Sequence, residues 1–288
     1  MARLGFIGLG VMGRHMARHL AIHQLTVFDV EPAKAAAIEG AVPAPDITSV
    51  GQAADVVLLS LPSSQIVRDV VVGEGGLLAS MQPGGAIIDC STTEPSVSRE
   101  IAATLAGQGI DFMDAPVSGG ERAAQDGTLA IMVGGHVDVF ERCLPILDLI
   151  AASVVRVGDV GAGGVAKLVN NMIVGSAFAV IAESFALGKA NGLDPAVLYA
   201  AIKGGWAGSK VLDVAAPGII DRDFTPGGSI DVLFKDIGYA LSLARSGNVP
   251  VPMTAMVDEV MKAARASGRG PYAQQIIIEL WEQLLALG

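Results

Sequence analysis

The first half of the chain is a series of short apolar stretches separated by amphipathic ones. Residues 4–7, 25–28, 56–59, 86–88 and 112–113 are almost continuously apolar and short enough to be buried strands. Residues 11–22, 32–39, 64–71 and 95–105 read as helices between them. Further strands are expected at 129–133 and 154–157, flanking a helix at 137–150. Strands without a polar face, alternating with helices, predict an α/β fold built on a doubly wound parallel sheet. The pattern changes after residue 158. Residues 165–190 read as one long helix that stops before Asn191-Gly192, a pair suited to a left-handed turn. Helices at 195–202, 231–246, 254–266 and 272–287 follow, and no strand is expected beyond 161. The chain therefore divides into an α/β domain over 1–160 and an all-α domain over 161–288, built on the long interdomain helix and joined by the glycine-rich stretch 158–164.

Composition narrows the function. Of 288 residues, 51% are hydrophobic and 17% charged, so a sizeable core is expected rather than disorder. A net charge of −10 argues against nucleic acid and anionic membrane surfaces as partners, but not against a small anion in a local pocket. Mean hydropathy is +0.53, which raises the question of a membrane span. The longest charge-free run, 168–182, contains Asn170 and Asn171 and is too short at about 1.5 Å per residue to cross roughly 30 Å of hydrocarbon. A buried core helix and no membrane are the expectation. Gly5, Gly8, Gly10 and Gly13 interrupt the apolar N-terminus, and no cleavage-site pattern follows, so it reads as strand and turn rather than a leader. Cys90 and Cys143 have no ligand-like or disulfide-like spacing, which fits a reducing cytoplasm.

The segment Gly8-Leu9-Gly10-Val11-Met12-Gly13 follows the first strand and opens the first helix. In that context Gly8 permits a tight turn, Gly10 a close approach of a diphosphate, and Gly13 close helix–strand packing. The helix N-terminus offers unpaired N–H groups to the anion. The alternative is an ordinary glycine-rich turn. The second strand ends Val27-Phe28-Asp29, where a carboxylate would accept the adenosine ribose hydroxyls and repel a 2′-phosphate. No Arg follows, so NAD is expected over NADP, although Asp29 could also simply cap the helix before Pro32. The first domain is thus expected to be a Rossmann-type NAD-binding domain.

Candidate chemistry lies elsewhere along the chain. His15, His19, His23 and His136 all fall in the first half. The first three have helix-turn spacing, but a solvated helix face is expected there and no metal. Lys167 and Asn171, four residues apart, share one face of the long helix. A lysine among apolar positions is costly to bury unless it has a partner or a task. Burial and a cationic nicotinamide would both lower its pKa and suit it to proton transfer; the competing reading is a side chain reaching solvent. Asp114-Ala115-Pro116-Val117-Ser118-Gly119-Gly120 could cradle a carboxylate on glycine amides, or could be a plain turn. Lys235-Asp236 is a further pair, or a surface ion pair.

These residues, taken together, resemble the β-hydroxyacid dehydrogenases, the family of 3-hydroxyisobutyrate dehydrogenase and tartronate semialdehyde reductase. The likeness is carried by GFIGLGVMG at 5–13, LP at 61–62, DCSTTEP at 89–95, DAPVSGG at 114–120, GAGGVAKLVNN at 161–171 and FKD at 234–236, and covers essentially the whole chain. It implies that Gly8–Gly13 hold the diphosphate, Leu61 and Pro62 line the cofactor groove, and Thr92 lies near the nicotinamide. Ser118, Gly119 and Gly120 would bind the substrate carboxylate. Lys167 would be the acid/base, Asn171 would orient the substrate, and Lys235, with Asp236 beside it, would close over the cofactor from the helical domain. Trp206 falls where relatives place a pocket aromatic; alone it would more often be core. The implied reaction is reversible hydride transfer between the nicotinamide and a small 3-hydroxy acid or its aldehyde acid. The family also implies a homodimer or homotetramer.

The segments 204–209 and 224–227 look closer to tartronate semialdehyde reductases than to 3-hydroxyisobutyrate enzymes, and β-hydroxy amino acids such as serine stay open as substrates. Arg122 could bind a second anionic group or be a surface charge. Decarboxylating phosphogluconate dehydrogenases are longer and need further basic groups. Imine reductases usually carry another residue at the Lys167 position. A non-catalytic NAD(P)-sensing relative would be expected to lack Lys167.

Overall fold

A computed structural model describes residues 3–286, and these form two compact units, one running to Lys167 and one starting at Leu168. The end of the expected helix 272–287 falls on Leu287, outside the described residues.

The first unit holds one sheet of β1 (Arg3–Ile7), β2 (Gln24–Phe28), β3 (Ala41–Pro43), β4 (Val56–Leu59), β5 (Ala86–Asp89), β6 (Asp111–Asp114), β7 (Val117–Ser118), β8 (Leu129–Gly134) and β9 (Ala151–Gly158). Its order is β3-β2-β1-β4-β5-β6-β8-β7, with β9 on β8. The first six strands are parallel, and the order reverses direction at β1, between β2 and β4. The sheet is not parallel throughout: β8 runs antiparallel to β6 and β7, and parallel to β9.

Alternation along the strands supplies both faces. Leu4, Phe6, Val56, Leu58, Ala86 and Ile88 enter one apolar cluster, while Ile7, Val57, Leu59 and Ile87 enter the other. Both faces are covered by helices, so β4 is apolar at every position. Each such buried Val, Leu, Ile or Phe side chain contributes about 1.5–3 kcal/mol relative to exposure. Gly5 is required by this packing: a Cβ there would meet Val50 Cγ1 at 2.6 Å, on the helix Ile47–Ala53.

The second unit is helical, with Pro195–Ile202, Lys210–Asp221, Ile230–Ser246, Pro252–Ala266 and Ile278–Leu284 joined to the remainder of the long helix Ala162–Ala190. Its core includes Phe185, Ile219, Ile237, Met261 and Ile277. The long helix buries Leu168, Asn171, Gly175, Phe178, Ala182 and Phe185 at helical spacing. Ile173, Val180 and Leu187, seven residues apart, form an exposed apolar stripe. This changes two expectations. The helix has 29 residues, starting three residues earlier than expected and running through Glu183 and Lys189 as expected, and by length and composition it is long and apolar enough to cross a membrane. It is also not a mostly buried core helix within this chain, since 33% of an 18-residue apolar window in it is buried.

Candidate active site

In the first unit the sequence-predicted residues lie along one edge. Phe28, Ile7, Leu59, Asp89 and Asp114 are register partners in a row across β2-β1-β4-β5-β6. The residues that follow each of them, at the carboxyl ends of parallel strands around the direction reversal, stand where α/β sheets bind ligands.

The glycine loop follows β1. Gly8 has φ +95°, donates its N–H to Phe28 O at 3.0 Å, and has no room for a Cβ against Ser60 O. A Cβ at Gly13 would overlap Gly8 O. Both are therefore glycines for reasons internal to the chain. Gly10 differs: it is exposed and a Cβ there would meet nothing within 4 Å. A glycine over open space, beside Val11 and Met12 and just ahead of a helix start, fits a dinucleotide diphosphate. Leu9 belongs to the loop differently, with its side chain in the core and its N–H donated to Asp29 Oδ2 at 2.7 Å.

Asp29, 9% exposed, also accepts the Glu31 N–H on Oδ1 at 2.9 Å. Its carboxylate thus ties the glycine loop to the end of β2, and each oxygen keeps acceptor capacity for ribose hydroxyls. The nearby Lys34 pairs with Glu31 at 2.6 Å. After β4, Leu61 donates its N–H to Ser91 Oγ at 2.8 Å, and Pro62 is exposed next to it. After β5, the fully buried Asp89 accepts Ser91 N–H at 3.0 Å and Thr93 Oγ1 at 2.6 Å, which fixes the loop carrying Thr92.

After β6 come Ser118, paired with Ala130 on β8, and Gly119 and Gly120, with φ of +131° and +72°. The consecutive positive φ values favour glycine at both positions. The helix Gly120–Gln125 that follows is joined to the first helix by Glu121, which pairs with Arg14 and His15. His15 is 8% exposed and His19 Nε2 bonds Gln125 O at 3.0 Å, so these histidines face a neighbouring helix rather than solvent.

The start of the long helix belongs to the same unit. Asp114, 2% exposed, accepts the Gly161 and Gly164 N–H groups at 2.6 and 2.7 Å. Burial pushes its carboxyl up to about 7 against the pull of those bonds, and nearby Asp89 adds to the rise. Lys167, one turn further along, is half-buried.

In the second unit, Asn171 and Asp236 are buried, and Asn171 Nδ2 donates to Asp236 Oδ2 at 2.6 Å. Asp236 Oδ1 also lies 3.2 Å from Lys235 Nζ, which sits over the Tyr239 ring. The pair 235–236 is therefore part of a buried group, not a surface ion pair. Trp206 is fully exposed rather than core. A cleft of about 680 Å³ lies elsewhere in this unit, but Arg222 and Arg269 in its wall are both paired with Glu279, so it offers no free cation. Asp29 as a loop anchor and the roles of Asp89, Asp114 and Glu121 were not foreseen; the recurrence of Asp at strand ends was the available signal.

Known proteins match the chain over nearly its whole length. Residues 3–158 match the family model for the NAD binding domain of 6-phosphogluconate dehydrogenase, and 161–281 match that for the NAD-binding region of NADP-dependent 3-hydroxyisobutyrate dehydrogenase. The chain is 39% identical to 2-(hydroxymethyl)glutarate dehydrogenase of Eubacterium barkeri, over 98% of this chain and 95% of that one. It is 35% identical to 2-hydroxy-3-oxopropionate reductase of Escherichia coli, over 97% of each. Among solved structures, Mycobacterium tuberculosis 3-hydroxyisobutyrate dehydrogenase with L-serine aligns at TM-score 0.88 and 30% identity, covering 97% of this chain and 99% of that one.

Proposed function

The chain belongs to the β-hydroxyacid dehydrogenase family, and from that premise we propose that it interconverts a small 3-hydroxy acid and its aldehyde acid with NAD, using Lys167 as general acid and base. Membership carries the general activity, nicotinamide-dependent oxidation and reduction of a hydroxy acid. The finer reading is supported by the row of strand ends that presents Gly8–Gly13, Asp29, Leu61, the 90–95 loop and Ser118–Gly120 along one edge.

When bound, the nicotinamide cofactor supplies hydride transfer. Amides of Gly10 to Gly13 hold its diphosphate, and Asp29 takes the ribose hydroxyls. Leu61, Pro62 and Thr92 line its groove. Asp29 beside a Lys34 already paired with Glu31 favours NAD over NADP. The Ser118 hydroxyl and the Gly119 and Gly120 amides hold the substrate carboxylate. Lys167 Nζ takes the hydroxyl proton in oxidation and returns it in reduction. Asn171 has two amide hydrogens and gives one to Asp236, leaving one to orient substrate. Lys235, Asp236 and Trp206 are the helical unit's candidates for binding substrate and cofactor.

A homodimer or homotetramer in the cytoplasm fits the exposed stripe Ile173, Val180 and Leu187, covered by another copy rather than by lipid. The opposite face of that helix is tied into its own unit through Asn171–Asp236 and Lys189–Glu282. Light scattering of detergent-free protein gives a dimer or larger on this reading; a detergent-dependent protein overturns it.

A second reading within the class is a dicarboxylic 3-hydroxy acid. The Arg122 side chain, two residues past the cradle, is 94% exposed and its partner Asp126 stands off at 3.8 Å, leaving a cation for a second carboxylate. A panel of 3-hydroxyisobutyrate, glycerate, 3-hydroxypropionate, L-serine, threonate and 2-(hydroxymethyl)glutarate, followed by nicotinamide absorbance with NAD+ and NADP+, tests both readings. Turnover of at least one acid, faster with NAD+, is expected. Cofactor binding without any turnover points to a sensing protein and overturns the enzymatic reading; a preference for NADP+ overturns the cofactor assignment.

A further inference from the structure

We propose that Asp114 is the positioning residue for Lys167, fixing through two backbone bonds the first turn of the helix that presents the lysine. The inference rests on Lys167 being the acid/base. Asp114 is the last residue of β6, and its two oxygens each take one N–H from the helix start: Gly161 on Oδ1 at 2.6 Å and Gly164 on Oδ2 at 2.7 Å. Gly164 precedes Lys167 by three residues, less than one helical turn. A shift at that turn is therefore passed to the lysine's Cα with little attenuation.

The surroundings leave the turn no alternative seat. A Cβ at Gly163 would overlap Met132 O and lie 2.6 Å from Asp114 O. A Cβ at Gly134 would overlap Asp114 Oδ1 and lie 2.7 Å from Gly163 N. One at Gly164 would lie 3.1 Å from Thr93 O. The helix start is thus in backbone contact with β6, β8 and the loop that carries Thr92. Asp89, the register partner of Asp114 on β5, holds that loop through Ser91 and Thr93. Two adjacent strand-end carboxylates therefore set the Thr92 loop and the Lys167 helix on one frame.

The chemistry of the side chain is specific. An ionised carboxylate is acceptor-only and meets two donors with two oxygens, and the helix N-terminus favours its charge. An asparagine is the same size but brings an NH2 group against one of the two N–H donors. The group is retained although burial disfavours its charge. Displacement of a catalytic group by about 1 Å costs on the order of 10²-fold in rate.

The test is Asp114→Asn in the full-length enzyme, with circular dichroism to establish folding, and kcat, KM, the pH–rate profile and the dissociation constant for NAD+ as readouts. The expected result is a kcat lower by about 10- to 100-fold, a pH–rate limb displaced from that of the wild type, and an NAD+ dissociation constant within about threefold. A folded variant with wild-type kcat and an unmoved pH profile overturns the inference, because a purely structural role would lower the melting temperature alone. If Asp114→Asn does not fold, Asp114→Glu takes its place: it keeps the charge but moves the carboxylate by one methylene against the Gly161 and Gly164 N–H groups, and an unchanged kcat with an unmoved pH profile there also overturns the proposal. Lys167→Ala is measured alongside. Full activity in Lys167→Ala sinks the acid/base reading itself; an inactive Lys167→Ala beside a fully active Asp114→Asn sinks only the positioning role.

Discussion

The buried carboxylates of the two units differ in what they mostly bond. In the sheet unit, Asp29, Asp89 and Asp114 at the ends of β2, β5 and β6 bond mainly to backbone N–H groups of loops. In the helical unit the buried polar groups bond mainly side chain to side chain, as in Asn171–Asp236, Lys189–Glu282 and Arg269–Glu279, although Gln275 donates to Asp223 O. Carboxylate-to-backbone bonds fix the path of a loop, which is what a glycine-built cofactor site needs. Side-chain pairs fix how helices pack and leave their backbones self-sufficient.

The largest break is expected where backbone meets backbone. Gly163→Val drives a side chain into the carbonyls of Met132 and Asp114, and a loss of about 3 kcal/mol in denaturant titration is expected. Next comes the side-chain pair: Asp236→Ala leaves the buried Asn171 donor without its acceptor, at about 2 kcal/mol by the same titration.

A third test uses pH. The Asp114 carboxyl is raised from 3.8 to about 7 in the fold, so the folded state holds its proton longer than the unfolded chain. Its contribution to stability is complete below the unfolded value and is lost as pH rises to about 7, at a slope of about 1 kcal/mol per pH unit. The difference between wild type and Asp114→Asn, titrated between those limits, is expected to carry that slope; a flat difference removes the buried-carboxylate picture. The smallest effect belongs to Gly175→Ala in the helical unit. There a Cβ meets only the side-chain ends of Ile237, Met261 and Val257 at 3.3–3.4 Å, and a change within about 0.5 kcal/mol is expected, because flexible tips adjust and alanine favours the helix. A loss there as large as that at Gly163 would erase the contrast between the units.

The same contrast explains what was legible in the sequence. The parallel strands announced themselves because burial on both faces makes them apolar throughout, as in Val56–Leu59. The edge strand Ala41–Pro43 and the two-residue Val117–Ser118 were too short to show a period, and the antiparallel entry of β8 leaves no mark on composition. The helix Ile47–Ala53 was hidden by Gly51, which is there because a Cβ would strike Ser80. Gly8, Gly13 and the cradle glycines were readable from spacing. The anchoring role of Asp114 was not, since a bond from a side chain to a backbone some 50 residues away, as between Asp114 and Gly164, has no local signature; that of Asp89 is local, to Ser91 and Thr93, and was passed over within the motif at 89–95. The long helix misled because it is apolar on every side, and periodicity cannot say which face its own chain covers.

The central claim is a lysine-based hydride-transfer site on a NAD-binding sheet unit. It is tested most directly by the single-turnover rate of Lys167→Ala with saturating NAD+ and whichever 3-hydroxy acid the wild type turns over. A rate lower by about 10²- to 10⁴-fold, with the NAD+ dissociation constant within about threefold of wild type, is the expected result. A rate within threefold of wild type would contradict it.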